Sequence, residues 1–235
     1  MRGLHRSRSA SANGLVPNPI GSEHRPATPI VNLRLNTATR QAAQSKGAMT
    51  VSTSTVGALP AVGRWEIDSR HSTMRFSVRH HAVASFRASF YPIMGSYDAE
   101  NRKLVGQVRI EDIQVPIEPL RQHLQRPEFF DGEQYPTISF ESTSIAADGS
   151  ALTVEGDLTM KGVTRRVRAT GTAAEPVAVL HPDGEALHFG VDLSLTIDRR
   201  DFGVSFNNEL PSGILNLGWE VQIDVALELV KSSDN

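Results

Sequence analysis

A chain of 235 residues, 39% of them apolar, suffices for one sizeable hydrophobic core, and a formal net charge of −2 singles out no polyanionic partner. The absence of cysteine excludes disulfides, thiolate catalysis and Cys-ligated zinc. The charge is unevenly spread: residues 1–60 carry seven Arg and Lys against one acid, Glu23, whereas residues 61–235 carry seventeen bases and twenty-five acids.

Residues 1–60 contain no aromatic and are rich in Ser, Ala, Thr, Pro and Arg. Such a segment cannot bury enough apolar surface to offset its ordering entropy, so it is expected to be a disordered, weakly basic tail. Met49, just upstream of the aromatic-containing region, is an alternative translation start. The positive N-terminus is not followed by the uninterrupted apolar run of about 7–15 residues that a secretory signal needs, nor is Met49, since Ser and Thr break residues 51–62. No run of about 18 apolar residues occurs. The expectation is a cytoplasmic protein without a transmembrane segment, with export as the alternative.

From Trp65 onward the dominant period is two. Met74, Phe76, Val78 and His80 share one face of a first strand; Phe86, Ala88, Phe90 and Met94 share one face of a second. Leu104, Val108 and Ile110 follow, and the parity slips near Glu111 and Asp112 to Ile113 and Val115, as a β-bulge would make it. Residues 117–125, after Pro116, form the single convincing helix candidate. Ile138 and Phe140, then Leu152, Val154, Leu158 and Met160, then Val163, Val167 and Ala169 continue the alternation. The two longest rows close the chain: odd positions from Leu187 to Ile197, and odd positions from Trp219 to Leu229. Turns at 98–101, 147–150, 161–162 and 182–184 separate the runs. About eight strands, each with one apolar face, plus one short helix make residues 61–235 an all-β antiparallel barrel or sandwich. A barrel of that size either fills its interior with side chains or encloses one small ligand.

Four stretches, in order, resemble the YceI-like family of lipocalin-like barrels. Trp65-Glu66-Ile67-Asp68, His71-Ser72 and Phe76-Ser77-Val78-Arg79-His80 resemble its opening W-x-I-D-x-x-H-S-x-x-x-F-x-V-x-H. Leu124, Phe129-Phe130-Asp131 and the segment from Tyr135-Pro136 to Phe140-Glu141-Ser142 resemble its central element. Gly156-Asp157-Leu158-Thr159-Met160-Lys161-Gly162-Val163-Thr164 resembles its G-x-L-T-x-x-G-V-T turn. Arg200-Asp201-Phe202-Gly203 resembles R-x-D-F-G, one residue short unless Arg199 is the matching arginine. One departure is Arg87-Ala88-Ser89-Phe90, where the family usually has a glycine; a side chain there narrows the interior. The resemblance implies an eight-stranded lipocalin-like barrel that binds a polyisoprenoid lipid.

On that implication an apolar tunnel is lined by Phe76, Val78 and Phe90 from the early strands, Ile110, Phe140, Leu158 and Val167 from the middle, and Phe189, Leu193 and Ile223 from the last two. His80, the inward polar residue nearest a strand end, is assigned to the ligand's head. Leu124, Phe129 and Phe130 are expected to seal one barrel end, with Asp131-Gly132 reversing the chain and Pro136 opening a strand. No catalytic or metal-ligating residues are assigned. Adjacent His80 and His81 face opposite ways on a strand and do not share a metal; Asp68, His71 and Ser72 lack a G-x-S-x-G nucleophile elbow; no H-E-x-x-H, P-loop or G-x-G-x-x-G occurs. Lys161, Arg165, Arg166 and Arg168 form a basic turn that suits phosphate or simply solvent. Nucleic acid is disfavoured by the acidic excess after residue 60. The expected protein is a non-enzymatic carrier of a polyprenyl or prenyl-quinone lipid, needing no cofactor beyond that lipid and with a homodimer left open; a small hydrolase or isomerase, or a solid-core stress-response domain, are the alternatives.

Overall fold

A computed structural model describes residues 59–182 and 184–232 of the chain. The expected tail, apart from Leu59 and Pro60, and the alternative start at Met49 lie outside the described residues.

Alternating sequence becomes strand almost throughout, and several barrel strands are built in two pieces. β1 (Arg64–Ile67) and β2 (Thr73–His80) are halves of one strand interrupted at 68–72; β3 (Ala84–Phe90) and β4 (Met94–Asp98) are halves of a second. β5 (Lys103–Arg109) and β6 (Ile113–Gln114) are joined by a 3-10 turn at Ile110–Asp112. This turn, rather than a bulge, carries the expected slip of parity, leaving Ile110 and Ile113 both about 1% exposed. After the helix α1 (Glu118–Leu124) come β7 (Thr137–Asp148), β8 (Ala151–Met160), β9 (Val163–Ala173), β10 (Val177–His181), β11 (Gly184–Asp198) and β12 (Leu217–Lys231).

Every pairing is antiparallel. The ring β11-β9-β8-β7-β5-β4-β1-β12 closes because β12 pairs with β11 over eleven residues, from His188↔Val230 to Asp198↔Glu220. The other edge of β12 takes β1 at Leu229 to Lys231 and β2 between Leu217 and Ala226, so both halves of the first strand lie along one neighbour. The result is the expected eight-stranded closed barrel with one short helix; β10 pairs with β11 outside the ring. Closure satisfies the edges that an open sheet would leave unpaired.

The wall is tightest where β9 meets β11. They pair only over Val191–Ser194 and Thr170–Ala173, and Gly171 sits at that crossing: any Cβ there would run into the Asp192 carbonyl. Beyond it the two strands part, leaving Val167 and Leu195 half-buried. Gly156 serves the interior, since a side chain there would occupy the space of the Phe140 ring.

Inward rows differ from the reading of the sequence near strand ends, as at Leu187, which is 39% exposed. Met94 is 47% exposed, while Ile93 and Tyr97 are buried, because the interruption at 91–93 shifts which parity faces inward. Trp219, expected to begin the last inward row, stacks instead under the guanidinium groups of Arg199 and Arg200, at 4.5 and 4.8 Å from its ring centre; the register of β12 on β2 shifts between Leu217 and Val221.

Candidate functional site

The barrel is packed at one end and hollow at the other. At the packed end Phe189 meets Trp65 edge-on at 4.9 Å and Tyr97 at 5.9 Å, leaving a void of only about 10 Å³. At the other end a cavity of about 320 Å³ opens among β2, β3, β12, the helix and the segment after β11. A smaller space of about 100 Å³ adjoins it toward the middle, sharing Met74, Ile138 and Ile223 in its lining.

Local sequence explains the roof of the cavity. The helix is short, and its chain continues in a set of tight turns: Phe129 N donates to Arg126 O at 2.9 Å, Phe130 N to Leu124 O at 3.1 Å and Gly132 N to Gln125 O at 2.9 Å. Asp131 takes a left-handed φ of 54°, reversing the chain as expected. These turns aim Leu124, Phe129 and Phe130 into the cavity. Phe130 packs edge-on against Phe76 and Phe90 at 6.2 and 5.9 Å; Phe129 packs against Phe206 at 4.8 Å and His123 at 5.0 Å. Lys161 ties the roof down, donating from Nζ to Pro127 O at 2.5 Å and Gly203 O at 3.1 Å. That lysine, and Arg166 paired with Asp157 at 2.9 Å, are thus engaged within the protein rather than offered as a phosphate cluster.

Of the residues assigned to a ligand from sequence, Phe76, Val78, His80, Phe90 and Ile223 line the large cavity. Phe140, Leu158, Val167 and Leu193 line the adjoining space. Ile110 and Phe189 line neither: Ile110 is packed beneath Gly132, and Phe189 belongs to the packed end.

The polar groups of the cavity are few, and two were missed. Arg199, 5% exposed, donates from Nε to Gly218 O at 2.8 Å and from Nη1 to Val204 O at 2.7 Å. Its Nη2 and the Oδ1 of Asn216 are buried with no hydrogen-bond partner among the described residues, and both residues line the cavity. Burial pushes the guanidinium below arginine's ordinary value, opposed by the charge of Asp198, but an arginine stays charged in any protein setting. A buried donor left unpaired costs about 1–3 kcal/mol, more when charged, so this pair is poised for a partner. The R-x-D-F-G resemblance held the signal: with Arg199 as its arginine the spacing is complete, and Arg200 instead turns outward to pair with Asp198 at 2.5 Å. Asn216 had no signal, because its position depends on a loop whose backbone returns to β2, His81 N donating to Asn216 O at 2.8 Å.

His80 sits at the same end. Burial pushes its imidazole below its ordinary value, and the neighbouring His81 adds to this. The two rings do not face opposite ways: β2 ends at His80, His81 adopts a left-handed φ of 52°, and its ring lies 3.8 Å from that of His80. The alternation rule fails there because the strand has already stopped.

A closed eight-stranded antiparallel barrel roofed by one short helix, with an apolar cavity and a small polar cluster at one end, defines a lipocalin-like barrel architecture. The chain belongs to the YceI-like domain family, which matches residues 65–229. A UPF0312 protein of Staphylococcus aureus is 28% identical over 170 residues, covering 68% of this chain and 94% of its own. Among solved structures, BcnA of Burkholderia cenocepacia superposes with a TM-score of 0.57 at 21% identity, covering 69% of this chain and 98% of its own. A polyisoprenoid binding domain from Saccharophagus degradans, implicated in plant cell wall breakdown, superposes with a TM-score of 0.54 at 12% identity, covering 72% and 98%. Among the described residues no helix is long and apolar enough to cross a membrane.

Proposed function

We propose that this protein holds an isoprenoid-type lipid in the barrel, its chain along the apolar interior and an acceptor-bearing head, a quinone carbonyl or a prenyl phosphate, on Arg199 Nη2 with His80 beside it, while Asn216 Oδ1 accepts from any hydroxyl the head carries. The observation that carries this reading is a cavity of about 320 Å³ whose lining is apolar except for a few groups, two of them with unpaired buried atoms. Burying each methylene-sized group is worth about 0.8 kcal/mol, so a few prenyl units outweigh the ordering costs of binding. A charge-assisted hydrogen bond from Nη2 would then fix which end enters. The neighbour described as a polyisoprenoid binding domain supports the ligand class. Among the described residues lining the cavity none is a carboxylate or a hydroxyl nucleophile, which supports a carrier or sequestering role over an enzymatic one. The reading includes a cytoplasmic location and no nucleic-acid partner.

Native mass spectrometry of the purified full chain, followed by organic extraction, tests it. The expected result is one co-purifying lipid per barrel with an isoprenoid mass, or saturable uptake of added prenyl quinones or polyprenyl phosphates. No such lipid and no uptake would leave the barrel a structural domain; turnover of an ester panel would make it an enzyme. Cell fractionation checks the compartment.

A further inference from the structure

The interruption between β1 and β2 builds a second polar feature, on the outside of the barrel. Residues 68–72 are pinned to a single residue of β12. Asp68 N donates to Glu228 O at 2.8 Å, and the fully buried Ser72 both accepts from Glu228 N at 3.0 Å and donates to Glu228 O at 3.3 Å. His71 N closes the turn on Asp68 O at 3.2 Å. Fixed in this way, the side chains of Asp68, His71 and Glu228 converge: Asp68 Oδ2 lies 2.8 Å from His71 Nδ1, and one ligating atom from each of the three lies within 4.8 Å of the others.

A further layer stands behind Glu228. His188, 5% exposed, has Nδ1 at 2.7 Å from Glu228 Oε1 and Nε2 at 2.8 Å from His181 Nε2. With its Nδ1 proton given to the carboxylate, His188 Nε2 accepts from His181, and the chain of bonds fixes the orientation of Glu228. None of these five residues lines the lipid cavity.

Two carboxylates and one imidazole suit a divalent first-row cation, with bonds of about 2.0–2.2 Å and room for water in the remaining position. Ligand atoms around a tetrahedral ion stand about 3.3–3.6 Å apart at those bond lengths, so the ion would replace the 2.8 Å hydrogen bond between Asp68 Oδ2 and His71 Nδ1. A buried histidine hydrogen-bonded to a ligating carboxylate, as His188 is to Glu228, is the outer support such sites use. The competing cation is Arg70, which approaches Asp68 at Oδ1, 3.5 Å away, and leaves Oδ2 to face His71.

We infer that Asp68, His71 and Glu228 form a binding site for a divalent transition-metal cation of the zinc class, with His188 and His181 positioning the Glu228 carboxylate. Sequence spacing gives no hint of it, because its ligands come from both ends of the domain and meet only through the pairing of β1 with β12.

The test is calorimetric titration of chelator-treated full-length protein with Zn²⁺, Mn²⁺ and Ca²⁺. One Zn²⁺ per chain should bind, more tightly than Ca²⁺, and should raise the melting temperature. His71→Ala, whose side chain is 61% exposed and so is not needed for folding, should remove the binding. Glu228→Gln should do the same while keeping a partner for His188. His188→Asn should weaken zinc about 10- to 100-fold, the usual effect of losing an outer partner, at unchanged stoichiometry. Absence of Zn²⁺ binding, or Zn²⁺ binding equally to wild type and His71→Ala, would overturn the inference and leave Asp68–His71 a turn ion pair.

Discussion

The packed end and the cavity end of this barrel are made by the same strands. β11 contributes Phe189 to one and Ile197 to the other; β12 contributes Leu229 and Val221; β8 contributes Val154 and Met160. What differs is where the aromatic rings lie. At the packed end Trp65, Tyr97 and Phe189 meet at the axis in edge-on contacts. At the cavity end Phe76, Phe86 and Phe90 lie on adjacent β2 and β3 and pack along one wall, at 6.1 and 6.0 Å, while the facing side carries Met160, Ile197 and Val204. Rings that interdigitate across the axis fill a barrel; rings that line one side leave room.

The largest effect that should separate the two ends is on stability. Phe189→Ala removes a ring that is 2% exposed and clasped by two others, and should cost about 3–5 kcal/mol. Phe130→Ala, in the roof, borders existing space and should cost about 1–2 kcal/mol while enlarging the cavity. Denaturant unfolding of the two variants measures this, and equal losses would mean that both ends are packed alike.

Next is occupancy. Leu193 is buried beside the smaller space, between Val225 and Gly171 of neighbouring strands. Leu193→Trp should fill that space, cost about 1–3 kcal/mol by overpacking and abolish uptake of long prenyl chains with the fold retained. A tryptophan at half-buried Val167 should act in the same sense. Fluorescence titration with a prenyl quinone checks both, and undiminished uptake would place the chain elsewhere.

Smaller is the contribution of the head group. Arg199→Met removes a buried charge but leaves the carbonyls of Gly218 and Val204 without their donor, and should cost about 1–3 kcal/mol of stability. It should weaken head-bearing lipids about 10- to 100-fold, about 1.4–2.8 kcal/mol, and leave plain hydrocarbons unaffected. Equal losses for both ligand types would show that Arg199 only shapes the cavity.

Much of this was legible in the chain, for identifiable reasons. The rows on β11 and β12 read correctly past their first members, Leu187 and Trp219, because long strands buried on one face repeat a period of two, and the roof read correctly because Phe129 and Phe130 flank a turn that only a reversal explains. The reading failed where strands stop. Met94 and Ile93 exchanged faces at an interruption, His81 rotated beside His80 in a left-handed turn, and Trp219 left the interior at a register shift. Phe189 and Ile110 were correctly judged inward, yet parity says only which side of the wall a residue takes, not whether the far wall is close enough to touch. The unpaired atoms of Arg199 and Asn216 arise from loops, whose course periodicity does not describe.

The finest distinction between the ends concerns His80, since among the described residues lining the packed end the only titratable side chain is the phenol of Tyr97. Burial, and then the neighbouring His81, push the folded pKa of His80 below the ordinary value of 6.5. The unfolded chain therefore binds the proton more readily, and stability rises with pH through the window between the folded pKa and about 6.5. This contribution is complete above about 6.5 and is lost as the pH falls through the window. Protonation would also set a second cation beside Arg199, at a cavity suited to an apolar chain, and should favour anionic heads over quinones as the solution is acidified. Other histidines titrate in the same range, so the measurement is a difference: melting temperature and quinone affinity of wild type and His80→Gln between pH 7.5 and 5. The variant should lose part of the pH slope in both readouts and bind quinone more weakly than wild type at pH 7.5. Parallel profiles would show that His80 is a passive part of the wall and that the quinone head rests on Arg199 alone.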